Sequence, residues 1–363
     1  MTAKQQLKQK LNEVLMRGQL AAKWCPRKGP KSIELRQHWG QTPKQYRKFI
    51  VNMTDVTESL MCNKDWNSIN YSQVPSLAHS RYRSAFYKNS EERYKSYVEE
   101  LKSGETPKVK VNAGAVYPYD VIKSLFSSNS YVGYYGTRED NISKTERDLI
   151  IEQWKALENF VGDANILPMI DVSGSMYCEV GGNLTAIQVA VSLGLYTADK
   201  NKGKFRDCFL TFSETPELIQ VKGNIVQKVE QVKQSNWGMN TNLDAALRKM
   251  LSMAVQNKVT NEDMPEILLI LSDMQFDRCA RFDDGALQLI KRNYEEEGYK
   301  SPQIVFWNLN SHSNCPVKFN EKGVSLVSGF SPSIMKSVLA ADFEDFTPEA
   351  IMLSVIMNER YNY

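Results

Sequence analysis

Histidine is the scarcest ionisable residue in this chain: His38, His79 and His312 are the only three among 363 residues. No Gly-x-x-x-x-Gly-Lys phosphate loop, His-Glu-x-x-His zinc pair or Gly-x-Ser-x-Gly nucleophile elbow occurs. The commonest signatures of nucleotide hydrolysis, zinc proteolysis and serine hydrolysis are therefore missing, and a non-enzymatic protein is expected. The six cysteines (Cys25, Cys62, Cys178, Cys208, Cys279, Cys315) include no Cys-x-x-Cys pair, so neither a zinc site nor a disulfide framework is suggested. No apolar run approaches the roughly 18 residues of a membrane span, and Met1 to Lys8 lacks the apolar core of a signal peptide. These absences point to a cytoplasmic protein with no membrane contact and no small-molecule substrate.

What is present is an uneven distribution of charge. Residues 1–120 carry 21 Lys/Arg against 11 Asp/Glu, or +10, whereas the rest carries 24 against 31, or −7, within a formal total of +3. A basic amino-terminal part joined to an acidic remainder suggests an anionic partner for the first part, although a basic solvated surface has the same composition.

That first part reads as helical throughout. Apolar stripes at helical spacing mark residues 4–22, 32–39, 42–62, 73–86 and 90–102, with Thr42-Pro43 as a helix start, and no strand pattern precedes residue 164. Candidate phosphate contacts are Arg27, Lys28 and Lys31 in a proline- and glycine-bearing loop, Arg47 and Lys48 in the second stripe, and Arg81, Arg83 and Lys88. The last three interleave with Tyr82, Phe86 and Tyr87, a composition that suits single-stranded nucleic acid. On a helix, however, Tyr82 and Phe86 would face inward and leave only the cations outside. Ser127 to Asn141 is a Ser-, Gly-, Tyr- and Asn-rich connector, and Ser143 to Glu146 is a capping box for the helix that follows.

The second part is organised around Ile166 to Met176, an apolar strand that stops at the turn Asp171-Val172-Ser173-Gly174-Ser175. A helix over 184–199 follows, so the turn joins strand to helix, and ligands of open α/β sheets bind outside the carboxyl ends of strands. Three oxygen side chains spaced two apart can converge on one hard cation. They are also ordinary turn and cap residues. Two further junctions add weight: Gly238 to Leu247, which carries Thr241 at the mouth of a helix, and the apolar run Ile267 to Leu271, which ends in Ser272-Asp273. Strands are further expected at 207–213, 217–221, 303–309 and 324–328, with helices at 225–235, 241–253, 283–297, 333–341 and, last, from Thr347 to near Arg360.

Asp171-x-Ser173-x-Ser175, then Thr241, then Asp273, each at a strand-to-loop junction, resembles the metal-ion-dependent adhesion site of a von Willebrand factor A (vWA) domain. The resemblance implies that Ser173, Ser175 and Thr241 approach a metal directly while Asp171 and Asp273 hold it directly or through water. It implies Mg²⁺, with Mn²⁺ or Ca²⁺ as alternatives, and an open position that an acidic protein ligand fills. The full order, basic helices followed by Gln153-Trp154-Lys155 and then a vWA domain, resembles the Ro autoantigen (TROVE) architecture. Ala22-Lys23-Trp24, Tyr46-Arg47, Val74-Pro75-Ser76 and Tyr117-Pro118-Tyr119 carry that likeness. It implies a HEAT-like helical scaffold that binds structured or single-stranded RNA, here too short for a closed ring.

The expected fold is therefore an all-helical domain (1–160), a doubly wound Rossmann-like vWA domain (161–341) and a carboxy-terminal helix packing back (342–363). The expected function is a non-catalytic, Ro-like RNA-binding protein with a metal-dependent acidic partner. The alternative is a metal-dependent protein adaptor, for example a partner of an AAA+ ATPase, that binds no RNA.

Overall fold

The structure is a computed structural model that describes residues 22, 25–54, 56–104, 109–111, 116–126, 142–181, 184–212, 216–235, 243–273, 284–310, 324–329, 332–339, 353 and 357. The chain divides into two compact units, Met1–Val74 with Arg81–Lys110 and Pro75–Ser80 with Val111–Tyr363. Among the described residues no strand precedes Ile166, and no helix is long and apolar enough to cross a membrane.

The first unit is helical. Helix α1 (Pro30–His38) starts on a proline, whose missing N–H is one that no helix start can satisfy. Helix α2 (Pro43–Met53) is fixed by a reciprocal cap: the Gln45 amide donates to Thr42 Oγ1 at 3.3 Å and the Thr42 amide to Gln45 Oε1 at 2.9 Å. The stripe over 42–62 is not one helix. It breaks at Thr54, whose hydroxyl donates back to the Ile50 carbonyl at 2.6 Å, a bond that competes with the helical ladder, and a short α3 (Thr57–Cys62) follows. Cys25, Leu35, Tyr46 and Ile50 form a small core here.

The two stripes over 73–86 and 90–102 correspond to two helical segments of the stretch α4 (Ser76–Ser103), which meet at Ser90, where the backbone leaves helical geometry (φ −155°, ψ 45°). Tyr71 packs against this stretch, its ring 5.1–5.5 Å from those of Phe86, Tyr94 and Tyr97 on α4, with Phe86 and Tyr94 5.6 Å apart. The Arg93 guanidinium lies 5.5 Å from the Tyr71 centroid and donates to the Trp66 and Ile69 carbonyls at 2.8 and 3.1 Å.

Among the described residues the second unit holds a six-stranded sheet, ordered Leu218–Gln220, Cys208–Phe212, Ile166–Asp171, Ile267–Ser272, Gln303–Asn308, Val324–Ser328. Its strands are β1 (Ile166–Asp171), β4 (Cys208–Phe212), β5 (Leu218–Gln220), β6 (Ile267–Ser272), β7 (Gln303–Asn308) and β8 (Val324–Ser328). All pairs are parallel except the β4–β5 hairpin. A two-stranded ribbon, β2 (Glu179–Gly181) with β3 (Leu184–Thr185), interrupts the passage from β1 to the next helix. It has too few residues to show a period in the sequence.

Both β1 and β6 are buried along their whole length, as expected of strands covered on two faces. Alternation sends Ile170, Leu271 and Trp307 to one face, under α7 (Ala186–Lys200) and α8 (Ile225–Gln234). It sends Leu167, Met169, Ile270 and Phe306 to the other, under α9 (Leu243–Gln256) and α10 (Asp284–Glu296). The first face also carries α5 (Pro118–Ile122), α6 (Lys144–Lys155) and the closing α11 (Pro332–Leu339). Val121, Ile150 and Trp154 thus share a core with β1. From β1 the chain moves out to β4 and β5, then crosses back to β6 on the opposite side of β1. That reversal creates a switch point between the carboxyl ends of β1 and β6.

The helix expected over 4–22 lies outside the described residues except at Ala22, that from 347 except at Leu353 and Met357, and the connector 127–141 lies wholly outside them. Of the carboxy-terminal segment only Leu353 and Met357 are described, and the Met357 amide donates to the Leu353 carbonyl at 2.9 Å.

Candidate functional site

The carboxyl end of β1 delivers Asp171, fully buried, to the switch point. Its Oδ1 accepts the Ser173 amide at 2.9 Å, which folds the chain back on itself and leads it into a 3₁₀ turn over Gly174–Tyr177. Its Oδ2 accepts the Ser272 hydroxyl at 2.5 Å from the neighbouring strand end. The same turn sets Ser173 Oγ 3.0 Å from Ser175 Oγ, and Ser175 Oγ donates to Asp273 Oδ1 at 3.1 Å. Asp273 is also fully buried, and its amide donates to Met176 Sδ at 3.1 Å. Four of the five candidate metal residues, Asp171, Ser173, Ser175 and Asp273, are therefore gathered in one cluster; Thr241 lies outside the described residues.

Two buried carboxylates this close oppose each other electrostatically. Burial is the main reason the Asp171 carboxyl is pushed up to about 6; the charge on Asp273 pushes in the same direction, and the bonds from Ser272 and Ser173 pull against both. A cation at this point would relieve both the desolvation and the repulsion.

The donor chemistry fits a hard divalent ion. Adjacent corners of an octahedron with Mg–O bonds of about 2.0–2.1 Å lie about 2.8–3.0 Å apart, close to the Ser173–Ser175 and Ser175–Asp273 separations of 3.0 and 3.1 Å. Among the described residues no group of three His, Cys, Asp or Glu side chains could hold a metal. A cation here would therefore rest on hydroxyls together with carboxylates, and not on a zinc-type set.

Three neighbours escaped the sequence reading. Ser272 was visible beside Asp273, but only the strand pairing shows that its hydroxyl meets Asp171. Met176 and Asn310 carry no pattern of their own. The Asn310 side-chain amide donates to Cys178 Sγ at 2.9 Å, and burial first, then the charge on Asp273, raises the Cys178 thiol above its ordinary value. Cys178 is a half-buried thiol at the edge of the cluster.

The basic candidates divide into two groups. Arg27, Lys28, Lys31, Arg47 and Lys48 are exposed on the α1–α2 portion. The Tyr46 hydroxyl donates to the Pro26 carbonyl at 3.0 Å and so holds the Arg27 loop to the turn of α2 that carries Arg47. Arg81 and Lys88 are exposed and Arg83 is half-buried on α4. Two of the three aromatics among them are structural: Phe86 is fully buried in the ring nest, and the Tyr82 hydroxyl donates to Glu58 at 3.1 Å.

Residues 165–359 match the model of the domain of unknown function DUF7788, and residues 30–165 match that of DUF2828. Uncharacterized protein L728 of Acanthamoeba polyphaga mimivirus is 28% identical over 369 residues, which cover 93% of this chain and 60% of that protein. The chain thus spans about 60% of the length of that curated relative. The crystal structure of the Deinococcus radiodurans RO (RSR) protein superposes with a TM-score of 0.51 at 13% identity, over 92% of this chain and 74% of that one. At that identity the likeness is one of fold: a helical region followed by a vWA-like α/β sheet.

Proposed function

The chain belongs to the DUF7788 family, and from that membership, its Ro-like fold and the oxygen cluster at the switch point we propose a non-catalytic, Ro-like RNA-binding protein with a metal-dependent partner site. The observation that carries the metal part is the run of contacts Ser173–Ser175–Asp273 at 3.0 and 3.1 Å beside the buried Asp171. Ser173, Ser175 and Thr241 would hold Mg²⁺ directly and Asp171 and Asp273 directly or through water, with Mn²⁺ or Ca²⁺ as alternatives. The cation would supply a Lewis-acidic position for a carboxylate of an acidic protein partner.

The RNA part rests on the +10 charge of residues 1–120 and on the exposed cations Arg27, Lys28, Lys31, Arg47, Lys48, Arg81 and Lys88. Because Phe86 and Tyr82 are committed to packing, contacts would run to phosphates and not through stacked bases. That same burial favours a second reading, a metal-dependent protein adaptor that binds no RNA.

One experiment separates the two. The full chain is titrated onto a labelled structured RNA across a salt series, with and without Mg²⁺. RNA binding predicts log-linear loss of affinity, with a slope of about −0.7 per single-strand phosphate neutralised. The slope should flatten when Arg27, Lys28 and Arg47 are changed to Glu. Absence of binding at low salt removes the RNA reading. Mg²⁺-dependent capture of an acidic peptide, lost in Asp171→Ala, would then leave the adaptor.

A further inference from the structure

Away from the metal cluster, the face of the sheet under α9 is not fully covered. Beside the amino-terminal half of β4 an open cavity of about 180 Å³ remains, lined by Phe205, Cys208, Leu210, Leu218, Met250 and Met253 among others. Packed interiors hold few voids larger than a water molecule, and an apolar space of about 150 Å³ suffices for a benzene ring. The lining is almost entirely apolar. At its mouth Lys204 is paired with Asp263 at 2.5 Å. Burial, and secondarily the charge on Asp207, pushes the Cys208 thiol up to about 11, in keeping with a dry wall.

The second observation concerns β5, the terminal strand of the sheet. In the β4–β5 hairpin the Thr211 amide donates to the Glu217 carbonyl at 3.0 Å and the Val221 amide to the Asp207 carbonyl at 2.8 Å. Phe209 faces Ile219 between them. Residues 217, 219 and 221 therefore turn their backbone groups inward. Antiparallel alternation leaves those of Leu218 and Gln220 pointing outward, where β5 has no second strand among the described residues. Leu218 is also a wall of the cavity. A strand added alongside, about 4.8 Å away, places the side chain opposite Leu218 on that same face.

The geometry points to a peptide-docking site in which an extended segment of a partner polypeptide pairs with the outer edge of β5 and drops one large apolar side chain into the cavity beside Leu218. Hydrogen-bond complementarity fixes the occupant as an extended chain, since the outward amides and carbonyls of Leu218 and Gln220 match a strand and not a compact ligand. The volume and lining fix the anchor as Phe, Leu or Met. This inference is independent of the metal and RNA readings, because it uses neither the metal cluster nor the basic residues.

The test is panning of a phage-displayed random heptapeptide library against the full chain, followed by titration of the enriched synthetic peptides. Two variants separate the two features. Met253→Trp fills the cavity from a half-buried position, and Gln220→Pro removes an outward N–H that the hairpin does not use. Circular dichroism and thermal midpoints establish that both fold. Expected are peptides with one Phe, Leu or Met flanked by β-branched residues, binding at least tenfold more weakly to each variant and to a Ser-anchored control. No enrichment over an unrelated protein overturns the proposal, as does binding to both variants as tight as to the parent. Binding lost in Met253→Trp but kept in Gln220→Pro overturns strand addition.

Discussion

The Ser272 hydroxyl donates to Asp171 Oδ2 at 2.5 Å and, with both residues fully buried, joins the ends of two neighbouring parallel strands. Because the Ser173 amide occupies Oδ1, Asp171 has each carboxylate oxygen held by a different element. The side chain that would anchor a cation is thereby oriented before any cation arrives.

Ser272→Ala removes that orientation and leaves a buried acceptor without its donor. A loss on the order of 1–3 kcal/mol is expected, measured by urea denaturation, together with weaker Mg²⁺ stabilisation. Ser272→Thr, which keeps the hydroxyl, should restore both. A variant as stable and as Mg²⁺-responsive as the parent would show that the bond orients nothing.

Gly194 gives a prediction with a diagnostic sign. Alanine in place of glycine inside a helix ordinarily stabilises by about 0.5–1 kcal/mol. Here a Cβ would come within 2.5 Å of Ile170 Cδ1 and 2.7 Å of Cγ1, on the strand that ends in Asp171. Gly194→Ala should therefore destabilise, by about 1–3 kcal/mol, as read from the denaturation midpoint. A gain would mean that α7 can lift away from β1 at no cost.

Much of this was legible in the sequence because it has a period or a junction. The unbroken run Ile267 to Leu271 reads as a strand buried on both faces, and Asp171 and Asp273 announced themselves as carboxylates at strand ends. Val324–Ser328 falls where it was expected. What stayed hidden depends on partners distant in sequence. The break at Thr54 rests on one hydroxyl choosing a carbonyl four residues back. The direct meeting of two helices at Ser90, with no loop between them, is set by one non-helical residue. The allegiance of α5 and α6 to the sheet's core is decided by packing across more than forty residues, as between Trp154 and Tyr196.

Lys228 supplies another test of buried polar structure. Its ammonium is nearly inaccessible and is held between Asp199 and Asp207, the latter at 2.6 Å, while the Trp154 indole donates to Asp199 at 3.2 Å. Lys228→Met keeps the length but strands two carboxylates. Breaking a buried ion network from one side typically costs about 3–5 kcal/mol, and a loss of that order is expected in chemical denaturation. Lys228→Met with Asp199→Asn and Asp207→Asn should recover part of it, since no unpaired charge then remains.

The most direct test of the metal reading is Asp171→Asn compared with the parent at two Mg²⁺ concentrations. In metal-free buffer near neutral pH the parent buries a carboxylate that faces a second one. Asparagine removes that charge while keeping an acceptor for the Ser173 amide and a partner for Ser272, so the substitution should be close to neutral or slightly stabilising. Added Mg²⁺ stabilises whichever form binds it: at a hundred times the dissociation constant the gain is about 2.7 kcal/mol. The parent's thermal midpoint should therefore climb with Mg²⁺ while that of Asp171→Asn stays flat, and the order of stabilities should invert between the two conditions. If both proteins respond equally, the cation binds elsewhere. If neither responds to Mg²⁺, Mn²⁺ or Ca²⁺, the four side chains form a hydrogen-bonded cluster that holds the strand ends together without a metal.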